Sequence, residues 1–332
     1  MAAYTTIDNP ELYFQVELFT GTGSALSATL DGDTNMQPDL VWLKNRDAAD
    51  SHELYDAVRG ATKQLAVDQT DQEITRTDGL TAFNSDGFSI GDREYINTSG
   101  EKMVAWCWKE SATAGFDIVS YTGNGSARTI SHSLSAVPKM YIIKNLGEAD
   151  SWQVYHAGNT AAPETDYLQL NETGATGDSA ARFNDTAPTS SVFSVGDHVT
   201  VNKNTISYIA YAFAPKQGFS KFGSFEGNSS SDGTYIHLGF SAAFILVKNT
   251  TSTSNWELFD NKRPGYNTGH GKLYPNSNSS EDTDQERIDI LSNGFKCRST
   301  NVATNESGSK FIYLAFAEAP FVNSNGAPCN AR

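Results

Sequence analysis

The sequence repeats one succession of landmarks three times, about 100 residues apart. Each copy opens with a glycine-containing turn and continues with a short apolar run that ends in Lys-Asn. An aromatic residue follows eleven positions after that lysine, and the copy closes on an alternating strand. Four landmarks in a fixed order favour three copies of one small domain over an enzyme built around one cleft, and such arrays suit binding or assembly. The turns begin at Gly21, Gly123 and Gly227, the Lys-Asn pairs at Lys44, Lys144 and Lys248, the aromatics are Tyr55, Tyr155 and Phe259, and the closing strands cover 104–108, 209–213 and 314–318.

The closing strands predict how each unit packs. Large and small side chains alternate in them, as at Trp106 and Trp108, which are separated by a cysteine and preceded by an alanine. This alternation is typical of a strand that is packed on both faces. Because Trp106, Tyr211 and Phe316 are spaced by 105 residues in both steps, we expect them to occupy equivalent buried positions.

The pattern as a whole predicts an all-β protein. Short apolar segments with period two are separated by clusters of Gly, Ser, Thr, Asn and Asp, and only residues 56–67 and 282–291 could hold a short helix. We expect three tandem jelly-roll-like β-sandwich domains, each closing a core of its own. The expected bounds are an N-terminal arm at 1–15, repeats at 16–111, 116–214 and 219–319, and a C-terminal tail at 320–332.

Composition excludes several classes of partner. The net charge of −15 disfavours nucleic acid and anionic membrane surfaces, because both require a basic footprint. No apolar run approaches the roughly 20 residues of a membrane span, and residues 1–6 lack the basic start and apolar core of a signal peptide. Three cysteines do not make a disulfide framework. We therefore expect synthesis in a reducing host cytoplasm, with no membrane insertion and no nucleic-acid partner.

No constellation of catalytic residues is visible in the sequence. Nucleophile–base pairs, helical histidine pairs and Cys–His clusters are all missing, so we expect no catalytic residue, no metal and no cofactor. One weak cation candidate is the acidic turn at Asp31, Asp33 and Asn35, where oxygen side chains alternate as in the first half of a calcium loop. Its turn glycine and distal acid are missing at the expected offsets, so a solvated turn is the alternative.

Aromatic residues among Asn, Ser and Gly are the candidates for contact with a host glycan or receptor. They are Trp152, Trp256, Tyr266 and Tyr274. Core packing is the alternative for the two tryptophans, because both belong to the repeat; His52 aligns with them and is predicted to be a half-buried packing group. The two tyrosines lie in an insertion peculiar to the third unit, which is where a recognition loop would be grafted onto a rigid scaffold.

The three Lys-Asn pairs also have two interpretations. They could form a contact site that is shared by every copy. Alternatively they end a strand, with the lysine stem covering the core and the asparagine turning the chain by bonding its own backbone. The structural interpretation is favoured.

Several stretches of the chain resemble a known family. Residues 38–46, 52–63, 84–88, 104–109 and 315–326 are similar to repeat-containing virion proteins of tailed bacteriophages, of the marine and cyanophage type. The resemblance covers nearly the whole chain and is specific in the first unit, whereas the other two keep only its skeleton. It implies a structural protein on the particle surface, often of the tail-fibre or tail-associated kind, and brings no catalytic residues.

The sequence therefore predicts a non-enzymatic virion protein, a tail-fibre or receptor-binding component for host adhesion. A decoration or cement protein that stabilises the capsid or tail is the alternative, and a carbohydrate-active enzyme is a remote one. Expected partners are other virion proteins and a host surface glycan or receptor, with a homo-oligomer, trimer favoured. We expect both ends to be mobile in the free protein and to dock onto the particle through Tyr13, Phe14 and Phe321.

Overall fold

The computed structural model describes residues 4–263 and 271–329. Its regular structure is almost entirely antiparallel β-sheet, and each of three successive units pairs a larger sheet with a smaller one. The predicted all-β class, built from β-sandwiches, is confirmed. Helical structure is limited to single turns, and no helix of the described part of the chain is long and apolar enough to cross a membrane. Segments 56–67 and 282–291, where short helices were expected, contain strands instead.

The units share one strand order. In each larger sheet, the strand that comes first along the unit pairs with the strand that comes last. That last strand also pairs, on its other side, with the third strand of the unit. Unit one contains β1 (Phe14–Thr20), β2 (Leu26–Ala28), β3 (Leu40–Asn45), β4 (Glu53–Asp56), β5 (Lys63–Ala66), β6 (Ile74–Thr75), β7 (Leu80–Phe83), β8 (Phe88–Ile90) and β9 (Lys102–Trp108). Unit two contains β10 (Phe116–Thr122), β11 (Arg128–Ser131), β12 (Met140–Asn145), β13 (Gln153–His156), β14 (Asp166–Gln169), β15 (Gly177–Asp178), β16 (Val192–Val195) and β17 (Ser207–Phe213). Unit three contains β18 (Ser220–Glu226), β19 (Tyr235–His237), β20 (Phe240–Asn249), β21 (Trp256–Asp260), β22 (Ile288–Leu291), β23 (Gly294–Cys297) and β24 (Lys310–Pro320).

The larger sheets run β1-β9-β3-β4-β5-β6, β10-β17-β12-β13-β14-β15 and β18-β24-β20-β21, and the smaller ones β2-β8-β7, β11-β16 and β19-β23-β22. Among the described residues of unit three, the counterpart of the pairing with β5 and β14 is one bridge between Leu258 and Leu273. The short helices are α1 (Glu94–Asn97), α2 (Ala180–Phe183) and α3 (Val199–Asn202), with 3-10 turns at Pro10–Leu12 and Pro163–Thr165.

The two faces of each larger sheet enter different cores. On β9, Ala105 and Cys107 face the smaller sheet of unit one and join its private core. Trp106 and Trp108 face the other way, into a central cluster that also contains side chains of units two and three. The predicted two-sided packing of the closing strands is therefore correct. The expectation that each unit closes its core alone is wrong in one respect, because the outer faces of the three larger sheets together form one shared core.

Sheet register corrects one predicted equivalence. Trp106 lies opposite Trp42 and Tyr211 lies opposite Ile142, but Leu314 takes this place in unit three, opposite Leu246. Phe316 is instead equivalent to Trp108 and Phe213. All of these side chains are buried, as expected. The spacing between equivalent positions is therefore 105 residues from unit one to unit two but two residues shorter from unit two to unit three. Large and small side chains alternate with period two, so a shift of two residues cannot be seen in the sequence.

The three units close into a ring of equivalent contacts. The backbone N–H of Glu73 in unit one donates to Leu146 O of unit two at 3.2 Å, and that of Thr176 in unit two donates to Thr250 O of unit three at 3.0 Å. The ring is completed by Glu281 of unit three, whose N–H donates to Arg46 O of unit one at 2.8 Å. Glu73 and Thr176 directly precede β6 and β15, and Glu281 directly precedes Asp282, which bridges Lys272. The chain is therefore pseudo-threefold.

The aligned positions His52, Trp152 and Trp256 also lie on these interfaces. Trp152 Nε1 donates to Ala66 O of unit one, and Trp256 Nε1 donates to Gln169 O of unit two. His52, which accepts a hydrogen bond from Trp42 Nε1 at 3.0 Å, meets the backbone of Tyr274 in unit three, although this contact falls short of a full hydrogen bond.

His52 is fully buried rather than half-buried as predicted. Burial holds the pKa of its imidazole well below the ordinary value, helped by the nearby Lys44 charge. It therefore packs as a neutral ring at the place that tryptophan fills in the other units.

A second set of equivalent contacts crosses the interfaces at the ends of β4, β13 and β21. Asp56 accepts a hydrogen bond from Tyr211 Oη of unit two at 2.7 Å, and Asp260 accepts one from Trp106 Nε1 of unit one at 3.0 Å. His156 occupies this position in unit two, and its Nε2 lies 3.1 Å from Tyr313 O of unit three. Each of the three interfaces thus contains a buried polar pair beside the shared core.

The N-terminal end and the start of the C-terminal tail are packed against the body, which corrects the expectation of mobile arms there, whereas residues 325–329 are exposed. Ile7 is buried, and the Phe14 ring stacks on Phe316 at 5.2 Å within the shared core. Tyr13 packs edge-on against Phe219, and Phe321 donates its backbone N–H to Gly239 O. The three proposed particle anchors are thus engaged within the chain. The shared core reaches beyond the repeats, and for that reason residues outside the repeats still find apolar partners.

Candidate functional site

The repeated Lys-Asn pairs lie at unit boundaries, where each lysine is completely buried. Lys144 Nζ donates to Thr70 O of unit one, and Lys248 Nζ donates to Thr173 O of unit two. Lys44 Nζ bonds Asn45 O and Ala48 O of its own unit. Burial lowers the pKa of all three ammonium groups to about 8.

The asparagines act as the structural interpretation predicts. Asn45 Oδ1 accepts hydrogen bonds from the next turn, and Asn145 and Asn249 repeat this geometry at 2.9–3.0 Å. All three pairs end strands, the lysines of units two and three also join neighbouring units, and all three lysines are closed off from solvent.

Unit three contains a polar cavity of about 340 Å³ at its boundary with unit two. The turn between β20 and β21 supplies one wall, β21 supplies Glu257, and the loop after β23 supplies the opposite wall. A volume of this size falls at the lower end of the roughly 300–1,000 Å³ that is typical of small-molecule sites. Its polar lining consists of Thr173, Thr253, Ser254, Asn255, Glu257, Tyr274, Arg287 and Asn301.

Glu257 and Arg287 form the charged centre of this cavity wall. Glu257 is 1% exposed and Arg287 is 7% exposed, and Arg287 Nε lies 3.4 Å from Glu257 Oε1. Among the described residues, Glu257 Oε2 and Arg287 Nε are buried atoms that make no hydrogen bond. Burial raises the pKa of Glu257 to about 7, against the opposing effect of the Arg287 charge. Buried polar groups without partners are rare, because each costs the free energy of its lost hydration.

The equivalent carboxylate in unit one is fully satisfied. Glu53 accepts a hydrogen bond from Tyr55 Oη at 2.6 Å and is bonded and ion-paired by Arg93. In unit three the residue that aligns with Tyr55 is Phe259, which has no hydroxyl to offer. Unit three thus lacks the hydroxyl that satisfies this carboxylate in unit one. In unit two the aligned Gln153 Oε1 is also without a partner among the described residues, although Tyr155 keeps its hydroxyl.

Tyr274 is fixed at the edge of the cavity. Its hydroxyl donates to Asp282 Oδ2, and Lys272 Nζ lies 2.8 Å from Asp282 Oδ1. Burial and the bond to Asp282 raise the pKa of Tyr274, so the ring stays neutral. Its half-buried ring is held in one orientation beside the polar groups.

A family match covers almost the whole chain. The sequence model of a family described as a domain of unknown function, DUF7483, matches residues 9–320. The chain belongs to this family. The match in this DUF7483 protein runs through all three units, in agreement with the shared core that makes them one body. No curated protein matches the sequence.

The structure separates the predicted contact residues. Tyr274 lines the cavity, whereas Trp152 and Trp256 are buried at the interfaces and cannot meet a receptor, so core packing is the correct interpretation for both. Tyr266 lies outside the described residues. The sequence did not single out Glu257 or Arg287, although the change from Tyr55 to Phe259 between aligned positions was a signal that could have pointed to them.

The acidic turn does not assemble a cation site. Asp31 is ion-paired with Lys262 of unit three at 3.0 Å, and the Asp33 backbone N–H bonds Glu11. Among residues 4–263 and 271–329, no group of three His, Cys, Asp or Glu side chains is placed to hold a metal ion. The turn that contains Asn35 instead helps to close the interface between units one and three.

Proposed function

We propose that this protein is a non-enzymatic structural component of a tailed-bacteriophage particle, exposed at its surface and active in host adhesion as a tail-fibre or receptor-binding part. The observation that carries the proposal is the division of roles among the units. Their larger sheets share one core, while among the described residues the pocket of about 340 Å³ beside Glu257 and Arg287 belongs to unit three. A rigid scaffold with one differentiated copy suits recognition. The proposed location, on the surface of a phage particle, rests on the sequence resemblance to phage virion proteins.

The direct test is quantitative mass spectrometry of purified phage particles. An adhesion component should be present at the copy number of tail proteins, and the purified protein should compete with whole phage for adsorption to host cells. Absence from purified particles would refute the proposal.

A decoration or cement protein is the second candidate, because the pseudo-threefold ring matches the threefold and local threefold positions of an icosahedral shell. This role predicts a copy number near that of the major capsid protein, and particles that lose heat resistance when the protein is stripped. Association of three chains into a homotrimer stays a prediction for either role, and sedimentation velocity would test it.

We also propose that the cavity does not hydrolyse glycosides. Glycoside hydrolysis generally uses two carboxyl groups across the scissile bond, and Glu257 is the one carboxylate among the described residues that line the cavity. The release of reducing ends from host envelope polysaccharide at an enzyme-like rate would contradict this.

A further inference from the structure

Both interfaces of unit three contain a buried histidine. Between units one and two, the two equivalent polar positions are filled by Trp152 and Asp56. His52 takes the place of the tryptophan between units three and one, and His156 takes the place of the aspartate between units two and three. Histidine has an ordinary pKa of about 6.5. Unit three is therefore bounded on both sides by a side chain that can gain charge in mild acid.

Hydrogen bonds fix both imidazoles in the neutral form. Trp42 Nε1 can only donate, and it donates to His52 Nδ1 at 3.0 Å, so this nitrogen carries no hydrogen. The backbone N–H of Gly158 donates to His156 Nδ1 at 3.0 Å, which leaves Nε2 to donate to Tyr313 O of unit three. In each ring a second proton would have to bind Nδ1, where it would face an N–H group. Neither closed interface can accommodate a charged imidazole.

The groups around His52 oppose a positive charge on its ring. Lys44 of β3 and Arg263 of unit three are both cations close enough to lower its pKa, in addition to the larger effect of complete burial. The carboxylate of Asp68 binds the backbone N–H of His52 at 3.0 Å. Unit three supplies one of the two cations and the Tyr274 backbone that covers the ring. Moving unit three away removes both.

His156 is enclosed in the same way. Its ring lies against Ile312, Tyr313 and Leu314 of β24 and is 1% exposed. Burial lowers the pKa of His156 to about 4, and the charge of Lys310 at the start of β24 adds to this effect against the opposing hydrogen bond to Tyr313 O. The groups that keep the ring neutral are again those of unit three, so water reaches the ring when that unit moves away.

The direction of the pH dependence follows from these contacts. Because the pKa of each ring is lower in the closed form, closure is fully stabilised above about pH 6.5 and loses stability as the pH falls below that value. A histidine that takes up a proton only in the open form raises the population of that form about tenfold per pH unit. Two such histidines acting on one opening raise it about a hundredfold.

We propose that proton uptake by His52 and His156 releases unit three from the pair formed by units one and two. The two interfaces of unit three open together, while the interface that contains Trp152 and Asp56 stays closed. Release uncovers the outer face of β20 and β24, where Phe244 and Phe316 lie in the shared core. This device is independent of the proposed virion role.

The experiment is amide hydrogen exchange of the full-length protein at pH 6 and pH 5, corrected for the intrinsic pH dependence of exchange. Each interface contains one equivalent amide that reports on its opening. Glu281 N–H bonds unit one, Thr176 N–H bonds unit three, and Glu73 N–H bonds unit two across the histidine-free pair of positions. Protection at Glu281 and Thr176 should fall together, by about a hundredfold, whereas protection at Glu73 should stay nearly constant.

Two variants isolate the histidines from other groups in the interfaces, such as Glu17, whose pKa burial raises to about 7. His156→Gln keeps a donor for Tyr313 O and takes up no proton. Trp42→Ile combined with His52→Trp reproduces the aligned pair Ile142 and Trp152 of unit two.

Each variant should reduce the loss of protection to about tenfold at both reporter amides, and their combination should abolish it. The matched control is His132→Gln, because His132 contacts Thr189 O within unit two; it should behave as the natural protein does.

The proposal is overturned if protection at Glu281 and Thr176 is the same at both pH values, or if Glu73 loses as much as they do. The three amides of the natural protein decide this even if a variant fails to fold. Restoration of Thr176 alone by His156→Gln would also overturn it, because the two interfaces would then open separately.

Discussion

The substitution Phe316→Ala tests whether the three units unfold as one. The Phe316 ring packs against Phe14 and Trp108 of unit one, Phe213 of unit two and Phe244 of its own unit, with ring centroids 5.2–6.2 Å apart. It is 1% exposed. Truncation should therefore cost about 4 kcal/mol, from lost transfer free energy and the cavity left behind.

The shift of the melting midpoint depends on how many residues unfold together. The entropy of unfolding is about 2.1 cal/mol/K per residue, so a loss of about 4 kcal/mol lowers the midpoint by about 6 °C when all 332 residues unfold as one unit. If unit three, with about 100 residues, unfolded alone, the same loss would lower its midpoint by about 19 °C. Differential scanning calorimetry separates the two cases.

We expect one endotherm that moves as a whole, with equal calorimetric and van't Hoff enthalpies. The control is Phe193→Ala, which opens a cavity in the private core of unit two. It should shift the same single endotherm by a similar amount. Splitting of the endotherm, with only about a third of the heat displaced in either variant, would refute the shared-core reasoning.

Four further substitutions test named contacts. Glu281→Gln removes a carboxylate that bonds Arg46 of unit one at 2.8 Å across the interface that closes the ring, and Arg263 of its own unit at 2.9 Å. It should cost about 3–5 kcal/mol in urea unfolding. Glu73→Gln is the matched control, because Glu73 aligns with Glu281 but is more exposed and lies 3.4 Å from Arg59. It should cost under about 1 kcal/mol, and equal losses of stability in the two variants would contradict this account. Phe259→Tyr should restore the hydroxyl that unit one gives to its glutamate and stabilise the protein by about 1 kcal/mol, whereas a destabilised variant would show that Glu257 Oε2 is oriented differently. Because the folded pKa of Glu257, about 7, lies above its unfolded value, its contribution to stability is present below pH 4.5 and lost as the pH rises through 7. Glu257→Gln should therefore gain about 3 kcal/mol relative to the natural protein between pH 4.5 and pH 8, and a pH-independent difference would contradict the raised pKa.

The sequence was sufficient for the fold class and for the repeat. Period-two alternation on β9, β17 and β24 indicates strands that are buried on both faces, and Lys-Asn marks where each middle strand ends. Alternation cannot distinguish a position from the one two residues away, because both point to the same face. Phe316 was therefore aligned with Trp106 when its partner is Trp108.

The shared core and the cavity depend on contacts between distant residues. Large side chains on the outer face of a sheet indicate that something covers them, but not that the cover is the next copy of the same unit. The sequence alone is equally compatible with an exposed Trp152 that binds a ligand and with a Trp152 buried at an interface. Its hydrogen bond to Ala66 O of unit one decides for the interface. Glu257 stands out only when its environment is compared with that of Glu53 in three dimensions.

The most direct test of the central claim, that three repeats form one closed body, is small-angle X-ray scattering from the full chain in solution. A compact body of 332 residues has a radius of gyration of about 20 Å. Three separate domains in a row, each with a radius of gyration of about 13 Å, would give roughly 30 Å. We predict a value near the first and a single-peaked distance distribution. A value near the second, with an elongated distribution, would contradict ring closure.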